Sequence, residues 1–186
     1  VLPPLTFLEF LRYRGTEDAL FEAPPLTEGV NETGMTLKAN ALPALNTEFQ
    51  RYVNFGGFLE GITMSKEGTP APAFIRDGVS DRVLHKDLAN LYGISEAQEL
   101  NRLFGLLAFN TAREVTIDEL AKATGIAKNT LRKYLDYLES AFLIRRVARV
   151  DKNGKRFQRQ VAFKVYLTTP CLYSALFAPV PPNDQF

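Results

Sequence analysis

On the helix predicted from Lys128 onward, the outward face presents Lys128, Asn129, Arg132, Lys133 and Asp136. These residue types suit recognition of a polyanion and not bond-making. Arg132 and Lys133 can contact phosphates or guanine edges, and Asn129 can pair with adenine. A second basic group follows in "DKNGKR", where Lys152, Lys155 and Arg156 surround Asn153-Gly154, with Arg145, Arg146, Arg149 and Arg159 on the flanking segments. Helix and ribbon together would form a positively charged surface of the kind that meets a DNA duplex. The plainer alternative is that these cations solvate an exposed helix and an edge hairpin.

Other residues able to do chemistry give thinner patterns. His85 is the one histidine, and no Ser, Cys or paired carboxylate is arranged around it, so a structural or solvent-facing role is the better reading. His85 and Cys171 cannot supply the four ligands of a structural zinc. Cys171 reads as a small buried hydrophobe. Asp77, Asp81 and Asp87 could collect Mg²⁺, although an exposed acidic helix face explains them more simply. Gly56-Gly57 lacks the G-x-x-x-x-G-K-[ST] spelling of a phosphate-cradling loop and reads as a helix stop using conformations that glycine adopts cheaply. No phosphate loop occurs in the chain, which leaves it no visible means of ATP hydrolysis; no catalytic residue and no bound metal or cofactor is expected in it.

The chain carries these groups on 186 residues, 46% hydrophobic and 23% charged, enough to bury a core without staples. A single cysteine excludes an intrachain disulfide and suggests a reducing compartment, and no apolar run approaches the roughly 18 residues that span a bilayer. A cytoplasmic protein without membrane partners is expected. The net charge of +1 conceals an asymmetry: residues 111–169 hold 13 Lys+Arg against 6 Asp+Glu, whereas the remainder holds 9 against 15. An acidic part joined to a basic part suggests two modules with different partners. The first residue is Val1 and the last segment reads "FAPVPPNDQF", which suggests a piece of a longer protein.

The elements that position the basic residues are spelled out locally. Thr116-Ile117-Asp118-Glu119 is a capping box. Ile117, Leu120 and Ala121 then face inward, and Gly125 in "ATGI" supplies the left-handed corner of a helix-turn-helix. Leu131, Leu135 and Leu138 recur at i, i+4 and i+7, which gives the second helix one apolar stripe. Ala127 stands at its N-cap, where Ser or Asp would normally satisfy a free amide. "LIRRVARV" and "FQRQVAFKVYLT" alternate as strands around the Asn153-Gly154 turn. Before them, "SEAQELNRLFGLLAFNTA" is a helix with Leu100, Leu103, Phe104 and Leu107 on one face. From Ser95 to Thr168 the expectation is thus three packed helices backed by a two-stranded ribbon, the winged-helix order.

The N-terminal part reads as helical too. Thr6 caps and Gly15 ends a helix carrying Phe7, Phe10 and Leu11, with Leu8 beside them. Residues 22–44 are a long excursion rich in Pro, Gly, Thr and Asn. Leu45, Phe49, Tyr52 and Val53 then form one apolar stripe, and "APAFIRDGVSDRVLHKDLANLYGI" promises one or two further helices.

In order, "LPPLTFLEFL", "FQRYVNFGGFLE", "VLHKDL", "LESAFLIRRV" and "FKVYLTTPCLYSAL" make a distinctive series. It resembles the C-terminal portion of bacterial and archaeal AAA-type ATPases that carry a domain of unknown function after the nucleotide-binding core. Family equivalents read roughly P-L-S-F-x-E-F, Y-x-x-x-G-G-[FY]-P-E, K-D-[IL], the helix-turn-helix, and K-x-Y-x-x-D. Leu59 stands where the family usually has Pro, and Thr168 or Thr169 where it usually has Asp. The resemblance implies an upstream P-loop core using ATP and Mg²⁺ and a nuclease-like fold downstream. It also implies a helical lid-like subdomain over residues 1–91, a winged helix-turn-helix over 92–175 and a linker over 176–186. Arg76, Arg82 and Lys86 would be the only candidates for touching a nucleotide phosphate from the lid side. The expected fold is mainly α. The leading function is the DNA-binding or partner-binding portion of such an ATPase, inactive in hydrolysis by itself and able to oligomerise. Alternatives are a free-standing winged-helix transcriptional regulator and a structural spacer between ATPase core and effector domain.

Overall fold

The computed structural model describes residues 3–22, 35–66, 75–78, 84, 97–148, 162–179 and 181. The described chain is mainly helical, with two small antiparallel sheets.

Helix α1 (Phe7–Arg14) starts where the capping chemistry places it. Thr6 Oγ1 accepts from the Glu9 amide at 3.3 Å, and the Thr6 amide donates to Glu9 Oε2 at 2.8 Å. Gly15, at φ 69°, ends it. After the short α2 (Glu17–Leu20), β1 (Phe21–Glu22) pairs antiparallel with β2 (Thr36–Leu37), Phe21 opposite Leu37. The start of the excursion expected over residues 22–44 is thereby paired with its interior, a ribbon that its two-residue strands are too short to announce, and the excursion ends earlier than expected because α3 already begins at Leu42. This helix α3 (Leu42–Phe55) and α4 (Leu59–Lys66) complete a small core of Phe10, Leu11, Leu20, Ala41 and Ile62. The rings of Phe7 and Tyr52 pack beside it.

Two expectations for α3 need correction. Phe49 is 50% exposed, touching Phe7 only edge-on at 5.3 Å, while the buried position on α3 is Glu48. The Gly56-Gly57 pair does not use left-handed backbone, since Gly56 lies at φ −77°, ψ −12° and Gly57 is not among the residues of positive φ. These glycines are required for close approach instead. A Cβ on Gly57 would sit 2.7 Å from Thr169 Cγ2 and 2.8 Å from its Cβ, far inside van der Waals contact.

The larger core belongs to α5 (Ala97–Phe109), β3 (Glu114–Thr116), α6 (Ile117–Thr124), α7 (Lys128–Ser140), β4 (Ile144–Ala148), β5 (Ala162–Leu167) and α8 (Cys171–Leu176). The predicted stripes all point inward: Leu100, Leu103, Phe104 and Leu107 on α5, and Leu131, Leu135 and Leu138 on α7, are fully buried. Each such side chain contributes roughly 1.5–3 kcal/mol of transfer free energy. Ile75 and Leu84 join this cluster, although they precede α5 in the chain.

The sheet has one strand more than the ribbon expected from the sequence. Its order is β3-β5-β4, all antiparallel, with Val115 opposite Phe163 and Arg146 opposite Val165. Phe163 and Val165 face the helices, and the intervening Lys164 and Tyr166 face solvent. The expected turn at Asn153-Gly154 lies outside the described residues.

Thr168 and Thr169, the positions where an acid is usual in the resembling family, close the corner. The Thr168 hydroxyl donates to the carbonyl of Phe142, and its amide donates to the Leu143 carbonyl at 3.2 Å. Thr169 is buried, with its hydroxyl 3.4 Å from Cys171 Sγ. A carboxylate at position 169 would be a buried charge in place of a small hydroxyl. Beyond it α8 docks on α3, where the Ser174 hydroxyl donates to the Val53 carbonyl at 3.1 Å.

Candidate nucleic-acid interface

The face of α7 opposite its leucines is set by the turn that joins α6 to α7. Thr116 caps α6 through the predicted box, with the Glu119 amide donating to Thr116 Oγ1 at 3.1 Å. Gly125, at φ 76°, makes the corner, and the buried Ile126 anchors it. Thr124 helps to hold the turn: its hydroxyl donates to the Leu120 carbonyl at 2.7 Å and accepts from the Ile126 amide. Helix α7 then begins at Ala127, which makes no side-chain capping bond. Its first amides are left for solvent or an anion.

Four predicted contact residues, Lys128, Asn129, Arg132 and Lys133, are thereby brought together, all exposed at the start of α7. Arg132 Nη1 donates to Asn129 Oδ1 at 3.0 Å, so the guanidinium is held close to the helix start. Lys128 Nζ lies 2.7 Å from Asp118 Oδ1, a pairing across the turn that spacing along the chain did not reveal. The hydrogen bond from Lys128, then its charge, hold the Asp118 carboxyl below the usual carboxylate range, and the charges of Lys122 and Arg132 act in the same direction.

The strand cations divide. Arg145 is exposed, as expected. Arg146, read from the sequence as part of a free basic surface, is instead neutralised. Its Nη2 donates to Asp136 Oδ1 at 2.7 Å and to Glu139 Oε2 at 2.6 Å, its Nε to Glu139 Oε2 at 2.8 Å, and its amide to Glu139 Oε1 at 3.0 Å. The cause is geometric: β4 leaves the end of α7 and runs back beside it, so Arg146 meets the last two carboxylates of the helix. Lys152, Lys155 and Arg156 lie outside the described residues, as do Arg149, Arg159, Arg82 and Lys86. Arg76 is exposed and lies 3.4 Å from Asp77.

Burial pushes the Glu139 carboxyl up, but the amide and guanidinium of Arg146 outweigh it and leave it below its ordinary value. A carboxyl depressed on folding contributes stability above its unfolded pKa and loses it as pH falls through the folded value. Glu139→Gln is therefore expected to reduce the unfolding free energy at neutral pH. The gap between variant and parent should close on acidification below the ordinary glutamate pKa, measured by urea denaturation at a series of pH values.

Among the described residues the remaining candidates assemble no reactive centre. Cys171 is buried, and burial raises its thiol pKa, which leaves it un-ionised and inert. His85, Asp81 and Asp87 lie outside the described residues. Among the described residues no group of three or more His, Cys, Asp or Glu could hold a metal ion. A groove of about 440 Å³ is lined by Val53, Thr111, Leu167, Pro170, Tyr173 and Ser174, none of them charged. Among the described residues no helix is long and apolar enough to cross a membrane.

The chain is similar in sequence to parts of longer proteins. An uncharacterized protein of Haemophilus influenzae is 24% identical over 159 residues, which covers 83% of this chain and 34% of that protein. Uncharacterized proteins of Mycobacterium bovis and Mycobacterium tuberculosis are each 33% identical over 93 residues, 50% of this chain and 21% of theirs. The chain thus spans about a third or less of the curated relatives it matches. No solved structure matches it. The family described as a domain of unknown function (DUF8612) matches residues 46–182, a stretch that includes α7 and both principal strands, and the chain belongs to that family.

Proposed function

We propose that residues from α5 to β5 form a winged helix whose α7 face binds double-stranded DNA, within a longer protein of AAA type. The observation that carries this reading is the grouping of Lys128, Asn129, Arg132 and Lys133 on one exposed face. That face belongs to the second helix of a helix-turn-helix whose opposite face is fully buried. The order helix, strand, helix, helix, strand, strand, with β5 between β3 and β4, supports the same fold. Lys152, Lys155 and Arg156 would extend the contact along the wing. The uncapped start of α7 adds amides that suit a phosphate.

In this reading residues 1–91 serve as the lid-like helical part. ATP and Mg²⁺ belong to an upstream core, with Arg76, Arg82 and Lys86 on its side. The length of the relatives supports a setting in a larger chain. A second reading, a spacer packed between two domains, is favoured by the ion pairs that occupy Lys128 and Arg146.

Duplex binding as a function of salt separates them. For the parent chain the logarithm of the binding constant should fall linearly with the logarithm of salt, by about 0.9 for each phosphate neutralised. The double variant Arg132→Ala/Lys133→Ala should lower affinity about tenfold at moderate salt and flatten the slope by roughly 2 units. Weak binding indifferent to both salt and substitution would leave the spacer.

A further inference from the structure

We infer that Asp118 is an electrostatic brake on the α7 face: it holds Lys128 in an intramolecular ion pair that a nucleic-acid phosphate must displace. The inference rests on the DNA-binding reading above and concerns how that face is regulated.

The geometry is specific. Asp118 is the second residue of α6 and Lys128 the first of α7, and the turn at Gly125 brings them to 2.7 Å. Both side chains are more than half exposed, at 64% and 55%, so solvent and a phosphate reach the pair freely. Acidic residues are favoured in the first turn of a helix, which alone accounts for an Asp at this position. It does not account for the lysine drawn from the next helix. The charges of Lys122 and Arg132 also act on Asp118.

The consequence is an exchange. When a phosphate takes Lys128, Asp118 is left beside that phosphate and draws a cation from solution. That uptake cancels one of the cations displaced from DNA. The brake thereby weakens binding and lowers its salt dependence by about one unit, while a face with a genuine phosphate track still binds. An exposed pair of this kind is worth little in isolation, so the change expected on releasing it is modest, about three- to fivefold in affinity.

The test uses the 186-residue chain and a short mixed-sequence DNA duplex. Asp118→Asn should tighten binding about three- to fivefold and steepen the salt slope by roughly 0.9. Glu60→Gln, which removes the same charge from the exposed surface of α4, should leave both unchanged. In a Lys128→Gln background the effect of Asp118→Asn should shrink to less than about twofold. Equal tightening by Glu60→Gln would reduce the effect to net charge and overturn the inference, as would full tightening without Lys128. If the parent chain binds the duplex and Asp118→Asn binds identically, the brake is refuted and the DNA reading stands. If neither binds even at low salt, both are refuted.

Discussion

Truncating Leu135 to alanine is expected to lower the unfolding free energy by about 2–5 kcal/mol, the range for removing a buried leucine side chain where neighbours cannot collapse into the space. Leu135 is fully buried at the middle of α7. It belongs to the cluster that also holds Leu103, Phe104 and Leu107 of α5 together with Phe163 and Val165 of β5. A cavity opened there would weaken the contact of helices with sheet as well as that of helix with helix. Urea denaturation reads the loss as a lower midpoint with unchanged slope. A change below about 1 kcal/mol would mean that α7 is not anchored as the structure places it. On the DNA-binding proposal, the same helix carries Lys128, Arg132 and Lys133 on its other side, so duplex affinity should fall with the folded fraction and recover at lower temperature. Substituting Arg132 or Lys133, both exposed, should leave stability nearly unchanged.

The burial of Leu135 was legible in the sequence because the signals for it are local, although the side chains it packs against are not. A capping box, a glycine corner and leucines at i, i+4 and i+7 lie within about two dozen residues, and each points to the same two helices. What escaped depends on partners distant in the chain. Strand β3 is three residues long and owes its existence to pairing with β5, as in Val115 opposite Phe163. The two glycines after α3 looked like a conformational stop, yet Gly57 is dictated by Thr169 in another part of the chain. The candidate site shows the same division. That Lys128, Asn129, Arg132 and Lys133 share an exposed face follows from helical periodicity alone. That Lys128 is paired with Asp118, and Arg146 with Asp136 and Glu139, follows from how helix meets helix and strand meets helix. Charge counting therefore overstated the free positive surface, since it assigns every cation to solvent.

Glu48 is the sharpest case of a residue whose role no local pattern reveals, and its removal should have the other large effect. It is 6% exposed on α3, and it holds two cations: Arg14 Nε donates to Oε2 at 2.7 Å and Arg51 Nη1 to Oε1 at 2.5 Å. Arg14 is itself mostly buried and lies over the Phe10 ring, 5.6 Å from its centroid, so it cannot swing out to water without uncovering the small core. Glu48→Ala should therefore cost about 3 kcal/mol or more, chiefly because a desolvated guanidinium loses its counter-charge. A paired substitution isolates that cause. Arg14→Met/Glu48→Leu removes both charges while retaining bulk, and it should be clearly more stable than Glu48→Ala alone, since well-packed apolar residues often replace a buried ion pair at little cost. Denaturation of the parent, Arg14→Met, Glu48→Leu and the double variant measures the coupling directly. Additive effects would mean that Arg14 and Glu48 act independently, and the small N-terminal core would then be held by its rings and leucines alone.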